Sequence, residues 1–244
     1  MSVILDVQHA TKKFGGLMAN EDITFQVQAG EILGVVGPNG AGKTTLFNSL
    51  SNFHKLTSGA IYFEGRQIHH LQPYQGARLG IARTFQIPQA MGEMTVYENV
   101  LVAAMGKDKD AGEIEENTRL TIAMCGLASL TDKMAKSLNV MQKKRLEIAR
   151  AIAIKPKLML LDETMAGLTG VERSEAVNLV RRISQMGVTI LMIEHVMEVV
   201  MNVSDRIMVL DAGKVLAVGT PEEISQNDEV IQAYLGGRKP KGEG

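Results

Sequence analysis

Gly37-Pro38-Asn39-Gly40-Ala41-Gly42-Lys43-Thr44 constrains this chain more than any other stretch. It satisfies G-x-x-x-x-G-K-[ST], a loop built to hold phosphate. The apolar run Ile32-Leu33-Gly34-Val35-Val36 before it reads as a buried strand, and Thr44 to Leu50 after it reads as a helix. That is the strand–loop–helix setting the motif requires. The glycines let the backbone turn inward, so that N–H groups and the positive end of the helix converge on one point. Residues Gly37, Pro38, Asn39, Gly40, Ala41, Gly42, Lys43, Thr44 and Thr45 are therefore the candidate nucleotide cradle. In it Lys43 would reach the β- and γ-phosphates and the Thr44 hydroxyl would ligate Mg²⁺.

A second candidate site lies downstream. Leu158-Met159-Leu160-Leu161 is a continuous apolar run, suited to a parallel strand buried on both faces, and Asp162-Glu163 closes it. Proteins of the α/β class place ligand groups at the carboxyl ends of such strands. Asp162 would hold Mg²⁺, often through a water, and Glu163 would take a proton from the attacking water. The other reading of the pair is a solvated acidic cap on the following turn. His195 also follows a buried strand, Val188 to Ile193, and is either a contact to the γ-phosphate or a structural histidine. Phe14, in the turn Lys13-Phe14-Gly15-Gly16, either stacks on adenine or fills a small core.

Composition limits what surrounds these sites. The 244 residues allow one large domain or a core with an inserted subdomain. With 45% hydrophobic and 22% charged residues the composition is that of a globular protein, and a net charge of −1 gives no support for a nucleic-acid or anionic-membrane surface. One cysteine, Cys125, excludes an internal disulfide and fits a reducing compartment. Met1 to Asp6 lacks the features of a signal peptide, and no apolar run approaches the ~20 residues that span a bilayer. A soluble, cytoplasmic protein is expected. Fifteen methionines suggest an adaptable core or contact surface.

Patterning along the chain predicts an α/β fold. Val3 to Val7 and Ile23 to Val27 alternate as strands with one polar face. Ser58-Gly59 reads as a turn, and Ile61-Tyr62-Phe63 with Glu64-Gly65 as a short strand and reversal. Helical spacing runs from Thr95 to Leu130 through Val96, Val100, Leu101, Ile114, Leu120, Ile122 and Met124, broken by the charged loop at 107–110. Residues 88–140 are thus a helical insertion into the core. Helices are expected over Leu146 to Ile154 and Val171 to Met186, a hairpin over Arg206 to Leu210 and Lys214 to Val218, and a helix start at Pro221. The tail 237–244 reads as disordered.

In this order the pieces resemble the ATP-binding subunit of an ATP-binding cassette (ABC) transporter over residues 1–236. They are the aromatic Phe14, the P-loop, Gln86 of a Q-loop, a signature segment near 138–142, and Asp162-Glu163. A D-loop at Ala166-Gly167-Leu168-Thr169 and a switch His195 complete the set. The resemblance implies a P-loop NTPase (RecA-like) core with an antiparallel β subdomain and an inserted α-helical subdomain. It implies ATP and Mg²⁺ as cofactors, Gln86 as a further metal ligand, and Glu163, His195, Gln86 and Lys43 in catalysis. The stretches Lys13 to Leu17, Ala82 to Gln86, Met165 to Leu168, Glu194 to Met197 and Ala233 to Gly236 are similar to the ATPases of branched-chain amino acid importers. The expected partners are two membrane-spanning permease subunits, a second ABC ATPase subunit and, through the complex, an external solute-binding protein, with no nucleic acid. The chain would then sit on the inner face of the membrane, where residues after Gln86 pass motion to the permeases. Related ATPases of lipid or lipopolysaccharide exporters, or soluble ABC ATPases, are the rival readings.

Three departures from the family pattern stand out. The usual signature is Leu-Ser-Gly-Gly-Gln, and here it is Leu138-Asn139-Val140-Met141-Gln142. Asn139 can replace the serine and cap the helix, whereas Val140 and Met141 put side chains where glycine permits close approach. Either the chain works in an asymmetric heterodimer, its own signature serving the partner's nucleotide poorly, or the variation is harmless and a homodimer forms. Val196 replaces a common acidic residue, and Thr169 stands where the D-loop often ends in Asp or Asn.

Overall fold

Burial alternates along Ile23-Thr24-Phe25-Gln26-Val27, with the first, third and fifth side chains inside. This period-two pattern belongs to strands with one covered face. β1 (Val3–Phe14) and β2 (Leu17–Gln28) pair antiparallel around Gly15-Gly16. Both outrun their expected segments, and Phe14 ends β1 instead of sitting in the turn. The computed structural model describes residues 2–107 and 109–235, so the expected disordered tail at 237–244 lies outside the described residues. It divides the chain into one unit formed by the segments up to His70 and from Met192 onward, and a second spanning Leu71–Leu191.

In the first unit, β3 (Ile32–Val36) is buried throughout and leads through the glycine loop into α1 (Lys43–Leu50). β4 (Ser58–Phe63) and β5 (Arg66–Gln67) complete an antiparallel sheet in the order β2-β1-β4-β5. Ser58 and Gly59 begin β4 instead of forming a turn. A Cβ on Gly59 would lie 2.2 Å from the His9 carbonyl oxygen, so the neighbouring strand demands glycine there.

The second unit opens with α2 (Pro73–Leu79) and β6 (Ile81–Arg83). The expected helical stretch follows as α3 (Val96–Met105) and α4 (Ala111–Met124), then α5 (Val140–Ala153). These three helices pack on one another. Cys125 is buried just after α4, and burial pushes its thiol up to about 12, which removes it as a nucleophile. β7 (Leu158–Asp162) is buried at every position and runs parallel to β6. α6 (Gly170–Gln185) follows, and β8 (Thr189–Ile193) carries the chain back into the first unit.

There α7 (Met197–Val203) forms, a short helix the sequence did not announce. β9 (Arg206–Asp211) runs parallel to β3, and β10 (Lys214–Gly219) returns antiparallel to it. α8 (Pro221–Ser225) and α9 (Asp228–Leu235) end the described chain. Val36, Val200, Ile207, Val209, Ile224 and Val230 form one cluster of this core. Among the described residues, no helix is long and apolar enough to cross a membrane.

Candidate nucleotide site

The phosphate loop is pinned from below. A Cβ on Gly37 would sit 2.1 Å from the Leu210 carbonyl oxygen, and one on Gly42 would sit 2.4 Å from that of Ala19. Asn20 Nδ2 donates to the Gly42 carbonyl at 3.1 Å, and Gly213 N–H donates to the Ala41 carbonyl at 3.2 Å. β2 and the β9–β10 turn thus press the loop into shape, and only glycine tolerates their approach. Lys43 is 6% exposed, its ammonium donating to the carbonyls of Gly37 at 2.7 Å and Pro38 at 2.9 Å. Asn39, Gly40 and Thr44 face outward.

The entry to α1 differs from its counterparts. α3, α6 and α8 begin with a Thr–Glu capping box (Thr95/Glu98, Thr169/Glu172 and Thr220/Glu223). α1 has Gly42 as its N-cap, with φ +96°, no capping side chain and no acidic residue in its first turn. Its positive end is left for an external anion. The residues present therefore fit a nucleotide's phosphates.

In the second unit, the acidic pair at the end of β7 is held by the loop after β6. The Arg83 guanidinium lies 3.0 Å from Asp162 Oδ2, with both side chains buried. Thr84 Oγ1 accepts from Asp162 N–H at 3.2 Å. Gln86 Nε2 donates to Glu163 Oε2 at 2.7 Å. Glu163 itself has φ +50°, a left-handed conformation unusual for a side-chain-bearing residue. Such strain persists only where surrounding structure imposes it, and it gathers at functional sites. Asp162 and Glu163 are 2% and 9% exposed, so the reading of a solvated cap does not hold.

Other expected positions resolve individually. Phe14 is 43% exposed, edge-on to His54 at 5.2 Å and beneath the Lys12 ammonium, so it is not a core aromatic. His195 is exposed just beyond β8, next to a buried Glu194. Asn139 caps α5 as expected, its side chain accepting from Gln142 N–H at 2.8 Å while Gln142 Oε1 accepts from Asn139 N–H at 3.1 Å. Val140, at the next position, is 64% exposed. Thr169 serves as the N-cap of α6. Sequence reasoning passed over Arg83, Lys144 and Glu147. Arg83 enters only within the family-like stretch Ala82 to Gln86, and Lys144 stands between Lys143 and Arg145, so nothing local marks its burial.

A buried strand that feeds a glycine loop straight into an uncapped helix is how P-loop nucleotide-binding proteins meet phosphate, and this chain is one of them. The profile of the ABC transporter family matches residues 20–166, and that of the branched-chain amino acid ATP-binding cassette transporters matches residues 214–240. The chain is 39% identical to the high-affinity branched-chain amino acid transport ATP-binding protein BraF of Pseudomonas aeruginosa, over 96% of this chain and 98% of the relative. It is 38% identical to the probable branched-chain amino acid transport ATP-binding protein LivG of Archaeoglobus fulgidus, over 96% and 95%. Among solved structures, the ADP conformation of MJ1267, an ATP-binding cassette of an ABC transporter, matches with a TM-score of 0.88 at 31% identity, covering 97% of this chain and 100% of that one. The chain belongs to the ABC transporter family, as an ATP-binding subunit that hydrolyses ATP.

Proposed function

We propose that this chain energises the uptake of branched-chain amino acids, with Glu163 as the base that draws a proton from the attacking water. The observation that carries the catalytic assignment is the buried, left-handed Glu163, joined to Gln86 at 2.7 Å. The choice of solute rests on the near-full-length relatives and on the match at 214–240.

The residues divide the work by chemistry. The backbone N–H groups of 39–45 and the Lys43 ammonium hold the phosphates, and Phe14 offers a ring for adenine. Thr44 in the first unit would offer its hydroxyl to Mg²⁺, and Asp162 and Gln86 in the second would each offer an oxygen. Such an ion needs one or two protein oxygens beside the phosphates, so a cluster of carboxylates is unnecessary. When bound, Mg²⁺ neutralises phosphate charge. His195 orients the γ-phosphate. Closing on ATP against a second ATPase subunit and reopening after hydrolysis would drive two membrane-spanning permeases at the inner face of the membrane. An external binding protein would deliver the solute.

We read the pairing as asymmetric, because Val140 is exposed and carries a side chain where the usual signature has glycine. The test is purification of the complex through a tag on this chain. Permeases and a second ATPase should co-purify, and leucine, isoleucine or valine with the binding protein should stimulate turnover. Glu163→Gln should retain ATP and lose about 10²–10⁴-fold in rate. A Glu163→Gln protein at full rate refutes the assignment of the base.

A further inference from the structure

Lys144 and Glu147 lie one turn apart on α5, so they share a face of the helix. Both are ionisable and both are buried, at 9% and 6% exposure. Buried charges are rare unless each has a partner, and the partners here are informative. The Lys144 ammonium donates to the Glu163 carbonyl at 3.4 Å and to the Ala166 carbonyl at 2.5 Å. Glu147 Oε1 accepts from Phe85 N–H at 2.7 Å. One side chain thus grips the backbone of Glu163 itself, and the other grips the residue before Gln86. Between those anchors runs the Gln86–Glu163 hydrogen bond.

We propose that Lys144 and Glu147 are positioning residues that hold Gln86 and Glu163 in register for hydrolysis, making α5 a brace for this chain's own base. Lys144 supplies the constraint that a left-handed Glu163 needs, since two carbonyls of the segment 163–166 converge on one ammonium. Glu147 fixes the loop that delivers the Gln86 amide. α5 also begins with the Asn139 cap and the departed signature. A helix whose first turn has lost its usual glycines would therefore retain a second duty further along. The inference rests on the assignment of Glu163 as base.

The experiment measures ATP turnover in the purified transporter complex, as the part of the rate that Glu163→Gln removes. Lys144→Met and Glu147→Ala should each lower kcat about 10- to 100-fold, the range for losing a hydrogen bond to a charged group, with the KM for ATP unchanged within about twofold. Lys144→Arg and Glu147→Gln keep a donor and an acceptor and should recover most of the rate. Amide exchange should quicken over 163–168 in Lys144→Met and at Phe85 in Glu147→Ala. Should Lys144→Met fail to fold, Lys144→Gln, able to reach one carbonyl, should show a smaller loss of kcat. Unaltered turnover in these variants, while Glu163→Gln abolishes it, overturns the brace alone. Full turnover in Glu163→Gln overturns the base and the brace together.

Discussion

Gln86 Nε2 donates to Glu163 Oε2 at 2.7 Å, tying the loop after β6 to the end of β7 across 77 residues of sequence. A movement of the Gln86 loop therefore reaches the carboxylate directly. The two side chains should behave as a unit. In a double-mutant cycle of Gln86→Ala and Glu163→Ala, read by chemical denaturation, the coupling should be roughly 1–2 kcal/mol. Additive losses would mean that the contact contributes nothing.

Lys43 should govern nucleotide affinity. Its ammonium already lies on the loop, bonded to the carbonyls of Gly37 and Pro38, ready to exchange them for phosphate oxygens. Lys43→Met should weaken ATP binding roughly 10- to 100-fold, the value of one or two charge-assisted hydrogen bonds. Titration with a fluorescent ATP analogue checks this, and an unchanged Kd would remove the loop from the binding site.

Arg83 should matter to stability, beyond its place in the family-like stretch Ala82 to Gln86. Its guanidinium and the Asp162 carboxylate are both buried, and removing one takes from the other an opposite charge at 3.0 Å. Arg83→Met should cost about 3–5 kcal/mol in urea unfolding. Arg83→Met combined with Asp162→Asn, which removes both charges, should recover much of that loss.

Glu147 should impose a pH dependence on stability. Burial raises its carboxyl to about 7 from 4.5, outweighing the opposing pull of Phe85 N–H, Arg150, the Gln89 backbone and Lys144. Arg83 is a further cation facing it. The folded chain then holds this proton more tightly than the unfolded one, so the group's contribution is greatest at acid pH and is lost as pH rises toward 7. Glu147→Gln carries no such loss. Its melting temperature relative to the unaltered chain should rise between about pH 5 and about pH 7.5 and then level off. A difference that is flat across that window would show that Glu147 does not titrate there.

Contiguous patterns determined much of this protein from the sequence alone. The P-loop, the buried strand ending in Asp162-Glu163, the Asn139 cap and the helices of 95–130 depend on neighbours a few residues apart, so periodicity and spacing reveal them. Tertiary structure decided the rest. Nothing local marks Phe14 as exposed, because a lone aromatic in a polar stretch suits a surface as well as a small core. Nothing local pairs Arg83 with Asp162, 79 residues away, or turns Lys144 and Glu147 inward. A charge enters a protein interior only when folding brings a partner to it, and that partner is chosen by the packing of strands and helices, not by the chain beside it.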